Sequence, residues 1–282
     1  MIILKGNEFK KILPKRTDLS HKGTFGTLAI VGGSQCYQGA PYFATSAALR
    51  TGVGIAVSFI PDQIVGAFCS KINGAVVEPM TTTNGFICDD SIKNKIVARR
   101  ATAVVVGCGL GISEYSNNTV KDVLCLNLPT VIDGDAISVV ASDSKLLFRD
   151  APTILTPHLG ELSRLLNLSI DDICKDREQL VANYCVKHKC FTVSKDSETI
   201  IGDPSGRVFV LNKPCSALSK GGSGDVLAGM IGSFLAQGVD TVDSIIAAVT
   251  LHNSCGIAAG KKFGSRYSQP DDYIYMLKKV IK

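Results

Sequence analysis

The chain has 282 residues, 45% hydrophobic and 20% charged, with 30 Lys and Arg against 25 Asp and Glu. That length buries a sizeable core without disulfide or metal staples, and that composition excludes a disordered chain. A net charge of +5, evenly spread, is too mild to indicate nucleic acid but suits a protein whose ligands carry phosphate.

In chain order, TLAIV (27–31) is the first strand, followed by a helix over 40–51 and a second strand, GIAVSFI (54–60). Then come a strand at 103–107, a helix over 116–126, a strand at 129–133, a helix over 136–141 and a strand at 152–156. Helices over 160–166 and 171–188 lead to a strand at 190–194. Short continuous apolar runs of this kind are parallel strands covered on both faces. The alternation predicts an α/β fold with a central, mostly parallel sheet flanked by helices on both faces. ETIIGDPSGRVFVLN (198–212) changes character: Asp203-Pro204-Ser205-Gly206 between two short strands predicts a hairpin. Helices over 225–237, 242–259 and 271–282 close the chain. No linker, repeat or low-complexity block interrupts it, so one domain over 1–282 is the expectation.

None of the ten cysteines forms a CxxC pair. The start, MIILKGNEFKKILPKRTD, has charges inside any would-be apolar run, so it is not a signal peptide. Free thiols in a cytoplasmic protein follow. Cys185, His188 and Cys190 bring ligand types close together, but no second ligand pair follows and a zinc site is not expected. No apolar run approaches the roughly 20 residues of a membrane span.

Chemistry concentrates in GGSGD (221–225), directly before an apolar helix. The first amides of a helix lack internal partners, and its dipole is positive there. Glycines allow several such amides to converge on one anion, which suits a phosphoryl group in transfer. Asp225 beside that anion would take the proton of an attacking hydroxyl. Taken alone, the stretch reads equally well as a helix cap supplied by Ser223 or Asp225. Elsewhere, TLAIVGGSQCYQGAP lacks the G-x-G-x-x-G spacing of a dinucleotide fold, as does VVVGCGLG (104–111). VIDGDA (131–136) puts Asp133 and Asp135 at a strand's carboxyl end, as caps or as metal or substrate ligands. LTPHLGELSRLL (155–166) puts His158 and Glu161 on one helix face, with a helix-capping Glu161 and a satisfied surface His158 as the plain alternatives.

GGSQCYQGAP, VGCGLG, LTPHLGE, the Ser-Lys of FTVSKDSETI and GGSGDVLAG occur in the order found in ADP/ATP-dependent NAD(P)H-hydrate dehydratases, and from Lys22 onward the chain resembles that family of the ribokinase-like superfamily. The resemblance implies nucleotide-dependent dehydration of the S-form of hydrated NADH or NADPH: the ring hydroxyl is phosphorylated and phosphate is then expelled. It implies Asp225 as catalytic base and substrate contact, and the 221–224 amides, Gly222 and Gly224 among them, as the anion hole. Ala40, Gly109 and His158 would touch the hydrate. Lys195, Asp196, Ser197, Glu198, Thr199 and Gly224 would hold ADP or ATP. Glu161 would reach Mg²⁺ through water. Partners are thus the hydrate and the nucleotide, with no nucleic acid and no membrane, in a homo-oligomer that the resemblance makes a tetramer. About 20 residues precede the matched region, so the epimerase domain that many relatives carry is not expected.

The chain departs from the family at Asp196, where Gly is usual, at Cys108 in GCGLG, where Pro is common, and at Ser219-Lys220 before the glycine loop. The nearest rival reading is a vitamin or thiazole kinase of the same superfamily. A catalytically inactive nucleotide-binding protein would share the cavity but not need Asp225.

Overall fold

Runs of Val, Ile and Ala that alternate between two apolar environments lie side by side in the computed structural model, which describes residues 1–281. Among the described residues there are twelve strands: β1 Ile2–Ile3, β2 Thr27–Val31, β3 Ile55–Pro61, β4 Val76–Met80, β5 Thr82–Thr83, β6 Phe86–Ile87, β7 Ala103–Val106, β8 Thr130–Ile132, β9 Thr153–Leu155, β10 Phe191–Ser194, β11 Thr199–Gly202 and β12 Val208–Leu211. The helices are α1 Phe9–Ile12, α2 Gly39–Thr51, α3 Val65–Cys69, α4 Ile92–Ala98, α5 Glu114–Leu124, α6 Asp135–Ser142, α7 Leu159–Leu166, α8 Ile170–Lys175, α9 Arg177–His188, α10 Ser223–Ala236, α11 Thr241–Phe263 and α12 Pro270–Val280.

Ten strands form one sheet in the order β1-β12-β11-β10-β9-β8-β7-β2-β3-β4, and β5 pairs with β6 in a separate hairpin. Within the large sheet only β11 runs against its neighbours. Alternate residues of each central strand point to opposite faces. Leu28, Ile30, Ala103 and Val105 join the core under α2, α10, α11 and α12. Ala29, Val31, Val104 and Val106 join the core under α4, α5 and α6. Helices therefore cover both faces, as the apolar runs require.

From β2 the chain winds outward through β3 to β4, then returns to β7 on the other side of β2. The carboxyl ends of β2 and β7 thus flank a topological switch point, where ligands of open α/β sheets bind. Helix α10 lies across this region with nearly every residue after Asp225 buried. Its interior glycines have a packing reason. A Cβ on Gly229 would stand 2.1 Å from the carbonyl oxygen of Ala44 in α2, so α10 and α2 meet backbone to backbone.

Three expectations change. The helix expected over 171–188 is broken at Asp176 (φ −153, ψ 48). Ser169 caps the first piece by accepting the Asp172 amide, and the break frees Arg177 to reach Asp196 and Glu198. Between 61 and 103 the chain forms α3, β4, the β5–β6 hairpin and α4, none of which the apolar pattern marks. Helix α11, at 23 residues, is long and apolar enough to cross a membrane, yet 67% of its most apolar window is buried in this fold.

Candidate active site

The carboxyl ends of successive strands supply the polar groups. Gly107 to Gly109 follow β7, Asp133 follows β8, His158 follows β9 and Lys195 follows β10. The last two are bridged in parallel register, and the Lys195 amide donates to the Pro157 carbonyl at 2.8 Å. Facing them is the start of α10.

Gly222 is the N-cap of α10, with φ 92 and no side-chain capping bond. Neither Ser223 nor Asp225 therefore caps the helix. Gly222 needs its glycine on two counts: the left-handed backbone, and a Cβ there would stand 2.7 Å from the Phe43 ring. Ser223 donates its amide to the Lys220 carbonyl at 3.2 Å, so it is lost to the expected 221–224 anion hole. Among the described residues, the amides of Gly221, Gly222, Gly224 and Asp225 have no protein acceptor. These amides, with the helix dipole behind them, form a surface chemically suited to an anion.

Asp225 sits in that first turn, half-buried. Burial first, then the charges of Asp133 and Asp135, push its carboxyl up to about 7; the Cys108 thiol and Lys195 oppose the rise. Ligand atoms of Cys108, Asp133 and Asp225 all lie within 4.8 Å of one another. Cys108 is buried, with Sγ 4.0 Å from Asp133 Oδ2. Burial, followed by the two carboxylates, keeps its thiol protonated.

Asp133 does not cap α6, whose N-cap Gly134 makes no side-chain bond. Instead Asp133 Oδ1 accepts Lys195 Nζ at 2.7 Å and the Thr156 hydroxyl. Burial alone would lower the Lys195 pKa, but Asp133, Glu161 and Asp225 outweigh it and hold the ammonium charged. Asp135 Oδ2 accepts the Gly111 amide at 2.8 Å, anchoring the glycine turn after β7.

His158 and Glu161 form a reciprocal capping box at the start of α7. His158 Nδ1 accepts the Gly160 and Glu161 amides, and Glu161 Oε2 accepts the His158 amide at 2.9 Å. Burial, then Lys195, lowers the His158 pKa, in keeping with a neutral, accepting ring. Burial raises that of Glu161.

A cavity of about 550 Å³ opens between Lys195, Gly224 and α11, and Asp196, Ser197, Thr199 and His158 also line it. Glu198 does not; it faces Arg177, which donates to its carbonyl at 2.9 Å and stands 3.4 Å from Asp196. The charge that Asp196 brings beside the cavity is thus matched by Arg177. Ala40 and Gly109 lie together on a separate wall, since a Cβ on Gly109 would be 2.8 Å from that of Ala40. His158, expected with that pair, lines the larger cavity. The cavity's wall on α11 was not legible in the sequence: His252 meets the Ser223 hydroxyl at 3.3 Å, and burial, then Lys195, lowers its pKa to about 4. Nothing in the local HNSCG pattern marks it.

Set against known proteins, the NAD(P)H-hydrate dehydratase family model matches residues 28–279. The chain belongs to this family. It is 34% identical to the ADP-dependent (S)-NAD(P)H-hydrate dehydratase of Neisseria meningitidis over 89% of this chain and 86% of that protein. It is also 34% identical to the enzyme of that name from Lactococcus lactis, over 93% and 92%. A bifunctional NAD(P)H-hydrate repair enzyme of Moorella thermoacetica is 30% identical over 96% of this chain. The chain spans about half, 52%, of that relative's length. Among solved structures, the Bacillus subtilis ADP/ATP-dependent NAD(P)H-hydrate dehydratase, co-crystallised with ATP and Mg²⁺, superposes with a TM-score of 0.85 at 25% identity, over 99% of this chain and 97% of that one. A ribokinase-like superfamily protein of Enterococcus faecalis gives 0.86 over 99% and 95%. The ribokinase-like fold expected from the sequence is the fold of this member of the dehydratase family.

Proposed function

We propose that this chain, acting as one catalytic domain, uses ADP or ATP to dehydrate the S-form of hydrated NADH or NADPH. The observation that carries the reading is Asp225: a carboxyl held near neutrality, in the first turn of a helix whose leading amides have no acceptor. A base with that pKa accepts a proton at cellular pH, and the amides stabilise charge on the phosphoryl group as it moves. The ring hydroxyl gives its proton to Asp225, its oxygen bonds to the terminal phosphorus, and the bond to the nucleotide breaks. The lone pair of the ring nitrogen then expels phosphate, and loss of a proton from the adjacent carbon restores the double bond. Phosphate leaves far more readily than hydroxide, which is what the nucleotide contributes.

In this reading the nucleotide occupies the 550 Å³ cavity, with Lys195 and Gly224 at its phosphates and Asp196, Ser197 and Thr199 along one side. Glu198 contributes through its pairing with Arg177. The hydrate lies against Ala40 and Gly109, with Asp225 between it and the phosphates, and His158 at the boundary. Asp133 and Glu161 offer carboxylate oxygens near enough for Asp133 to raise the pKa of Glu161, a donor set that suits Mg²⁺ held through water. When bound, the ion supplies positive charge against the nucleotide's phosphates. We place the enzyme in the cytoplasm, as a homotetramer.

The test is to incubate the protein with hydrated NADH, Mg²⁺ and either ADP or ATP, and to follow reduced-nicotinamide absorbance and free phosphate together. Recovery of both supports the reading; recovery of neither with either donor removes it. A hydroxyethylthiazole kinase shares the fold at 16% identity and a TM-score of 0.61. A kinase would leave a stable phosphorylated product and release no phosphate.

A further inference from the structure

The VIDGDA stretch makes no direct contact in the reaction drawn above, yet its first carboxylate stands where the two halves of the site meet. Asp133 is 3% exposed, and nothing about the strand end requires a charge there. Its Oδ1 receives both Lys195 Nζ and the Thr156 hydroxyl, while its Oδ2 faces the Cys108 thiol. The Lys195 side chain keeps 21% of its surface exposed and lines the cavity. The ammonium is therefore held at the cavity wall from behind, with room to meet a ligand in front. A Cβ on Gly224 would lie 3.1 Å from Lys195 Nζ and 3.7 Å from Asp133 Oδ2, so this pair lies directly against the amide cluster that opens α10.

We infer that Asp133 is a positioning residue: it holds the Lys195 ammonium against the phosphates of the nucleotide. This rests on the function proposed above. A lysine side chain has four rotatable bonds, and an unheld one spreads over many orientations. Fixing it from behind before the ligand arrives removes that ordering cost from binding.

The experiment combines nucleotide binding with steady-state kinetics. Binding of ADP by calorimetry, without hydrate, is expected to weaken about tenfold or more in Asp133→Asn. Lys195→Met alone should lose at least as much, and the double variant should bind no worse than Lys195→Met, because Asp133 acts on the nucleotide through the lysine. The KM for ADP should rise about tenfold in Asp133→Asn while kcat falls by less than about threefold, a split that a merely structural role would not produce. Thr156→Val keeps the fold's shape and removes one of the two groups holding Asp133; a threefold to tenfold loss of ADP affinity is expected. Additive losses in the double variant, a loss confined to kcat, or unchanged ADP binding in both Asp133→Asn and Thr156→Val would each overturn the inference while leaving the proposed reaction standing. Wild-type protein that binds neither ADP nor ATP would overturn both.

Discussion

Replacing Asp225 by Asn should damage activity and improve stability together, and the two effects have one origin. The side chain is held near pKa 7, against an ordinary value of 3.8, first by burial and then by Asp133 and Asp135. A carboxyl whose folded-state pKa is raised binds its proton more tightly in the folded protein than in the unfolded one. Ionising it therefore destabilises the fold, and the loss accumulates as pH rises from about 4 to about 7. At one tenfold step per 1.36 kcal/mol, the accumulated cost above pH 7 is on the order of 4 kcal/mol. Asn matches the shape, carries no charge and escapes that cost. The variant should unfold several degrees higher than wild type at pH 8, with the gap closing toward pH 4. Its turnover should fall by about 10²–10⁴, the usual contribution of a positioned base. Calorimetric melts of both proteins across this pH range, beside the dehydration assay, decide the matter. Wild-type turnover in the variant, or a stability gain of equal size at pH 4 and pH 8, would refute the reasoning.

Three further outcomes follow from the geometry. Lys195→Met leaves Asp133 buried without its cation, and denaturant melts should show a loss of about 3 kcal/mol; Asp133→Asn in the same background should recover part of it. Gly229→Ala puts a Cβ 2.1 Å from the Ala44 carbonyl and should destabilise the protein by about 2 kcal/mol or more in the same assay, although Ala is the better helix former. Cys108→Ala removes a thiol that holds the Asp225 pKa down, so the acid limb of kcat/KM should shift to higher pH.

The central strands are legible in the sequence because each is a short β-branched run buried on both faces, a pattern no amphipathic helix produces. β4 is not, since Glu78 and Pro79 interrupt it. Proline is tolerated there because β4 is an edge strand that lacks a second neighbour. β1 has two residues and exists only through its pairing with β12, some 200 positions away. The β5–β6 hairpin did carry a signal, Asn84-Gly85, both with positive φ, a favoured pair for such turns; its strands are too short to show alternation. The break at Asp176 carries neither Gly nor Pro. At the site, the glycines and Asp225 stand out because their cost in a helix demands a reason. The Lys195–Asp133 pair does not, because its members are 62 positions apart and only the sheet order brings the ends of β8 and β10 together.

The contact between Gly229 and Ala44 has a mechanical meaning. Asp225 precedes Gly229 by one helical turn, and Ala40 precedes Ala44 by one turn. Both helices start at the same end of the sheet, so the point where their backbones touch acts as a spacer gauge for the two residues just above it. The separation between Ala40 and the Asp225 carboxyl, the acceptor wall and the base of the proposed reaction, is thus set by a hydrogen atom where other residues carry a side chain. Redirecting this scaffold to a bulkier acceptor is best done by reshaping the turn that holds Gly109, because widening the gap at the gauge would pull the carboxyl away from its target along with the wall.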